Sequence, residues 1–218
     1  MNQPIYKVKE PLTIEEFLEF YENNDNGLRY ELINGFIHMM APPNTIHQAL
    51  SMFLSGELYN FLKGKKCRAF AAPYGVFLKT NVDNEETGKI LKMKKNISTN
   101  TKKKWSYGTY VEPDLMVICD NKKIKPDGCH GAPDFIIEIL SPSNSEEDRT
   151  PKLYSYLLNG VREYWIVNPY TDPGISVCKF NEELKKMEIN IFTFGDIVKS
   201  HVLEGLEIDF SQIKSVLN

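Results

Sequence analysis

An α/β fold of the α+β, mixed-sheet kind is what this sequence predicts, with a C-terminal antiparallel β meander. Three patterns point to it. Helical periodicity in residues 13–22 and 47–62 is interleaved with short apolar strands. The run Phe135-Ile136-Ile137-Glu138-Ile139-Leu140 is apolar on both faces, as a strand covered on both sides must be. Beyond Gly174 the apolar residues alternate with period two. At roughly 150 residues per domain, 218 residues are expected to form one domain, residues 1–218.

Thr13 and Glu16 have capping-box spacing, and Ile14, Phe17, Leu18 and Tyr21 follow one helical face, so a first helix spans about 13–22. Residues 29–33 and 36–40 flank Asn34-Gly35, the strongest signal for a two-residue hairpin because both turn positions need positive φ. A second helix over about 47–62 carries Leu50, Phe53, Leu54, Leu58, Phe61 and Leu62 on one stripe, with Gly64 past its end. Strands at 67–72 and 74–79 lead into a Lys-rich insertion at about 81–109, where residues 89–104 hold seven lysines and no acid. Strands at 110–119 and 133–140, a helix at 147–159 stopped by Gly160, and a strand at 163–167 complete an αβαβ core. Segments 174–180, 187–194 and 198–208 read as the meander, and 212–217 as a last turn.

A net charge of −3, from 26 Lys+Arg against 29 Asp+Glu, excludes a polycation that coats nucleic acid, so any basic binding surface is local. No stretch approaches the ~18 apolar residues that span a bilayer, and residues 1–10 lack a signal-peptide apolar run. The expected setting is cytoplasmic, with no membrane partner. Four cysteines and four histidines show neither CxxC nor HxxxH spacing, which argues against structural zinc. Cys119, inside an apolar run, reads as a small core residue.

Glu138 interrupts the most apolar strand of the chain. A buried ionised carboxylate costs several kcal/mol unless it is paired or binds a cation, so it either serves a site or faces a solvated cleft or a structural Arg. Asp114 follows Pro113 at the head of another apolar run. Proline cannot donate to a ladder, which puts Asp114 at a strand end or bulge, where a side chain can be aimed into a cleft. Asp134 lies on the same strand as Glu138, about 13 Å away at ~3.3 Å per residue, too far to share an ion directly. Asp114, on a neighbouring strand, can approach it.

The ordered series Tyr30-Glu31-Leu32-Ile33-Asn34-Gly35, Glu112-Pro113-Asp114-Leu115, Ala132-Pro133-Asp134-Phe135-Ile136-Ile137-Glu138-Ile139-Leu140-Ser141-Pro142-Ser143, then Lys152 before Gly160-Val161-Arg162-Glu163-Tyr164-Trp165-Ile166-Val167, resembles the Uma-two-like family of putative restriction endonucleases, in the PD-(D/E)XK nuclease superfamily. The resemblance covers residues 13–169. It implies a restriction-endonuclease-like core with flanking helices, a Mg²⁺ or Mn²⁺ cofactor held by Asp114 and Glu138, and DNA as substrate, cut by a metal-dependent endonuclease. Two carboxylates with waters and a phosphate oxygen suit Mg²⁺. Where the superfamily has Lys two residues after the Glu, this chain has Leu140. Lys152 is then the substitute, returned from the following helix. The competing reading is an exposed Lys152 paired with Asp148 at i, i+4.

The resemblance also marks Glu31 as a third acidic group or a hydrogen-bond partner for a metal-bound water, and His47, at a helix start, as a phosphate contact; a capping or packing histidine is the alternative. Tyr30, Tyr164 and Trp165 read as core. Lys94, Lys95, Lys102, Lys103 and Lys104 are candidates for sequence-independent phosphate contacts, projecting from the same edge as the site, against a solvated loop without a partner. The rival functions are a catalytically inactive nuclease-fold module that binds nucleic acid or protein, and a β-rich structural domain with incidental acids. A homodimer is expected only by analogy with nucleases that cut both strands.

Overall fold

The computed structural model describes residues 11–24, 26–81, 106–142, 146–181 and 186–214. The capping box closes as spaced: Glu16 N–H donates to Thr13 Oγ1 at 3.2 Å and Thr13 N–H to Glu16 Oε2 at 2.8 Å, starting α1 (Ile14–Asn23). Asn34 (φ 51°) and Gly35 (φ 83°) turn the hairpin of β1 (Tyr30–Ile33) and β2 (Phe36–Met39). α2 (Thr45–Leu62) is capped by Asn44, whose side chain accepts the His47 N–H at 2.9 Å, and it buries Leu50, Leu54, Leu58 and Leu62.

The following strands are β3 (Arg68–Ala71), β4 (Val76–Asn81), β5 (Ser106–Val111), β6 (Leu115–Ile118), β7 (Ile124–Lys125), β8 (Gly128–His130) and β9 (Phe135–Ile139). Then come α3 (Glu146–Asn159), β10 (Glu163–Val167), β11 (Ile175–Asn181), β12 (Lys186–Phe192), β13 (Ile197–Lys199) and β14 (Glu207–Asp209). They form a mixed α/β architecture. One sheet runs β2-β1-β5-β4-β8-β7 and the other β12-β11-β10-β9-β6-β3, with β13 and β14 as a separate ribbon. β9 and β10 pair in parallel across the α3 crossover, and β4 pairs in parallel with β8.

β9 is covered on both faces. Phe135, Ile137 and Ile139 pack under α2 and the C-terminal segment, with Leu54, Trp165 and Phe210. Ile136 belongs to a second cluster that joins both sheets to α3, with Val76, Met116, Tyr156 and Tyr164. Phe17, Tyr30, Leu32 and Ile37 form a third beneath α1.

Several expectations need correction. The strand expected over 110–119 is two strands in different sheets, because Pro113 cannot donate and the chain crosses from β5 to β6 through Glu112-Pro113-Asp114. The segment 198–208 is likewise two short strands, and the last turn is a 3₁₀ turn at Phe210–Ile213; residues 215–218 lie outside the described residues. The expected antiparallel pairing of 174–180 with 187–194 is present as β11 and β12, which extend the second sheet from β10. β7 and β8, too short to show a period, were not expected.

Cys119 is not a lone core thiol. β3 and β6 pair with Arg68 opposite Ile118, so Cys67 and Cys119 come next to one another and form a disulfide, Cα–Cα 4.0 Å. The ends of the Lys-rich insertion, Asn81 and Ser106, pair with each other five register steps from Val76↔Val111. They lie about 17 Å along the hairpin from Val111 at ~3.3 Å per residue, so the insertion leaves from the far end and not from the edge of the site.

Candidate active site

The bend at Pro113 leaves Asp114 one residue before β6. β6 and β9 pair with Leu115 opposite Ile137 and Met116 opposite Ile136, so one more step puts Asp114 opposite Glu138 on the same face. Asp114 Oδ2 accepts the Ile139 N–H at 2.7 Å, and Asp114 Oδ1 lies 3.1 Å from His47 Nε2. The first turn of α2 thus carries both a capping bond, through the His47 backbone, and a site contact, through its ring. His47 Nδ1 is buried with no hydrogen-bond partner among the described residues.

Lys152, on α3, is no surface lysine: its side chain is 13% exposed. Its ammonium lies 2.9 and 3.1 Å from the two Glu31 oxygens and 2.8 Å from Glu138 Oε1. The Asp148 side chain lies outside the described residues. Tyr156, one turn beyond Lys152, donates its hydroxyl to Glu138 Oε1 at 2.8 Å. Glu138 is therefore paired, not alone as the strand pattern suggested.

Glu31, Asp114, Glu138, Lys152 and His47 line one cleft of about 210 Å³, with Arg29, Glu112 and Tyr164 among its other walls. Lys94, Lys95, Lys102, Lys103 and Lys104 lie outside the described residues. Asp134 is structural: it accepts the Cys119 N–H and pairs with Arg162.

Burial pushes the Glu138 carboxyl up to about 7, with like-charge repulsion from Asp114 and Glu31 adding to it and Lys152 pulling the other way. Burial also opposes the Lys152 ammonium, but Glu138 and Glu31 outweigh it and hold Lys152 above its ordinary pKa. The two shifts agree because Lys152 has two acids: Glu31 keeps it paired whether or not Glu138 carries a proton. His47 is raised as well, since Asp114 and Glu138 outweigh the penalty of its burial. Burial and the Glu138 charge keep the Tyr156 phenol protonated and donating.

Sequence reasoning missed three groups. Tyr156 follows Lys152 at i, i+4, a spacing that puts both on one helix face. Glu112, 7% exposed, pairs with Arg29 and accepts from the Tyr110 hydroxyl at 3.0 Å, while its N–H donates to Glu31 Oε1 at 2.9 Å. Glu112 had a signal, its place beside Pro113 and Asp114; Arg29 had none, because its partner lies 83 residues away.

Residues 14–211 match the Uma2 family model, whose description is putative restriction endonuclease. Over 172 residues the chain is 24% identical to an uncharacterised protein, slr1290, of Synechocystis, covering 79% of this chain and 76% of that one. The fold is similar to that of a putative nuclease of the DUF820 family from Anabaena variabilis, with TM-score 0.66 and 20% identity, over 95% of this chain and all of the other.

Proposed function

This chain belongs to the Uma2 family of putative restriction endonucleases, and on that premise we propose that it is a metal-dependent endodeoxyribonuclease that hydrolyses phosphodiester bonds of DNA. The observation that carries the proposal is the facing pair Asp114 and Glu138, with Lys152 beside it in one cleft.

The donor set fits Mg²⁺ or Mn²⁺. Glu31, Glu112, Asp114 and Glu138 bring four carboxylates to the cleft against two permanent cations, Arg29 and Lys152, and two imidazoles, His38 and His47, a surplus of oxygen donors over permanent positive charge. Among the described residues no three His, Cys, Asp or Glu side chains are grouped so that they could hold a metal ion by themselves. A Mg²⁺ site with one or two carboxylates, completed by water and substrate phosphate, needs no such group. Asp114 and Glu138 would hold the ion, which supplies charge stabilisation at the phosphoryl oxygens and a more acidic attacking water.

The remaining work falls to the chain. The Ile139 N–H and His47 fix Asp114, and Tyr156 fixes Glu138, so neither acid has to be ordered when substrate enters. Glu31 holds Lys152 at the end of a long flexible stem, aiming a permanent positive charge at the cleft where negative charge grows on the reacting phosphate.

One observation favours the binding-module reading: Lys152 already neutralises part of the acid charge that an ion would need. Incubating supercoiled plasmid DNA with the protein in Mg²⁺, Mn²⁺ or EDTA separates the two. Nicked and linear products with either metal and none in EDTA support the nuclease; DNA retention without cleavage in any condition supports the module.

A further inference from the structure

Among the described residues lining the cleft, Arg29 and Lys152 are the two permanent cations. Lys152 is shared between Glu31 and Glu138 and almost enclosed, whereas the Arg29 side chain is 39% exposed. Arg29 nevertheless has a fixed place. It pairs with Glu112 through Nη2, and its Nε–H donates to the same Glu112 oxygen at 3.1 Å. The other Glu112 oxygen is held by the Tyr110 hydroxyl. Two of the five donors of a guanidinium are thereby used, and the rest belong to a partly exposed group at the cleft.

The same short segment orients both cations. The Glu112 carboxylate holds Arg29, and the Glu112 backbone N–H holds Glu31, which in turn holds Lys152. Arg29 is therefore pre-positioned relative to the lysine assigned to the reacting phosphate. A buried carboxylate that pins a guanidinium at a cleft leaves a planar donor fork, whose shape matches phosphate oxygens two at a time.

We propose that Arg29 is a substrate-binding residue that grips a backbone phosphate of the DNA next to the one being cut, with Glu112 as its positioning residue. The assignment rests on the nuclease reading and adds to it the group that anchors the strand. A merely structural Arg29, present to neutralise buried Glu112, is the rival, and the two separate once Glu112 no longer needs a cation.

The test compares Glu112→Gln with the double variant Arg29→Gln/Glu112→Gln, because glutamine keeps the Tyr110 hydrogen bond and removes the buried charge in both. Binding of a fluorescein-labelled DNA duplex of mixed sequence is followed by anisotropy in Ca²⁺ across a salt series. The double variant is expected to bind about tenfold more weakly than Glu112→Gln. Its slope of log affinity against log salt should be shallower by about 0.9, the loss of one phosphate contact. Arg29→Lys in the Glu112→Gln background keeps a cation in the same space and serves if the double glutamine variant does not fold. It should retain the salt slope and lose about threefold in affinity, the part that depends on the fork. Equal affinity and equal slope with and without Arg29, in the Glu112→Gln background and for Arg29→Gln beside the wild type alike, overturn the assignment while leaving the nuclease reading intact. Wild-type protein that does not bind the duplex overturns both.

Discussion

Asp114 and Glu138 face each other across the antiparallel pairing of β6 and β9, one step beyond Leu115↔Ile137. Directly opposed residues of such a pair hold their Cβ atoms about 4.5–5.5 Å apart, so the register of β6 on β9, with the Ile139 N–H bond to Asp114, brings the two acids together. That pairing makes the consequences of replacing either acid specific.

Glu138→Gln keeps the Tyr156 hydrogen bond and the side-chain volume, and Lys152 keeps Glu31. It should abolish cleavage and, near pH 4.5 where the folded protein still holds the Glu138 proton, change stability by less than about 1 kcal/mol. Glu138→Ala strands the buried Tyr156 hydroxyl and should cost about 1–3 kcal/mol. Thermal melts of the two variants beside the wild type check both. An alanine variant as stable as the wild type would say that the Tyr156 contact contributes nothing.

Glu138 also predicts a pH dependence. Its carboxyl is raised to about 7 in the folded protein, against an ordinary 4.5. Below 4.5 both folded and unfolded states hold the proton. As pH climbs from there to 7 the unfolded state releases it while the folded state keeps it, which favours unfolding. In EDTA, the melting temperature of the wild type minus that of Glu138→Gln should fall across this window and level off above it. A difference that grows with pH would contradict the burial argument.

Lys152→Ala should lower turnover about 100-fold or more yet change DNA affinity less than about threefold, because an ammonium aimed at the reacting phosphate acts mainly where charge develops in the transition state. Single-turnover rates and anisotropy, measured side by side, separate the two effects.

What was legible beforehand follows from how local each signal is. The capping box at Thr13 and Glu16, the Asn34-Gly35 turn and the α2 stripe depend on residues within a few positions, and each formed within a residue or two of its expected bounds. Glu138 stood out because a charge in an apolar strand is anomalous wherever the strand goes. Pro113 announced a break, but not that β5 and β6 would join different sheets, since pairing partners are set by contacts far apart in sequence. Cys67 and Cys119 meet across 52 residues, and Lys152 meets Glu31 across 121. No periodicity carries that information. The family resemblance supplied Lys152, and only the fold turned it inward.

Glu163 makes a contrasting prediction. Fully buried on β10, it accepts from Trp165 Nε1 at 2.7 Å, from the Ser200 hydroxyl at 2.8 Å, and from the His201 and Val202 N–H groups at 2.9 Å each, tying the C-terminal segment to the second sheet. Glu163→Ala leaves these donors without an acceptor and should cost about 3 kcal/mol or more. Because Ile166, not Glu163, pairs with Glu138, the folded fraction should keep its cleavage rate. Denaturant melts and rates corrected for folded protein test this.

The most direct test of the account compares wild type, Asp114→Asn and Glu138→Gln for Mn²⁺ binding by calorimetry and for plasmid cleavage. All three are expected to fold, the wild type to bind Mn²⁺ and cut, and each variant to lose about 100-fold or more in rate together with at least about tenfold in Mn²⁺ affinity. Cleavage by either variant at the wild-type rate, or wild-type cleavage undiminished in EDTA, would contradict the assignment of the metal site to Asp114 and Glu138.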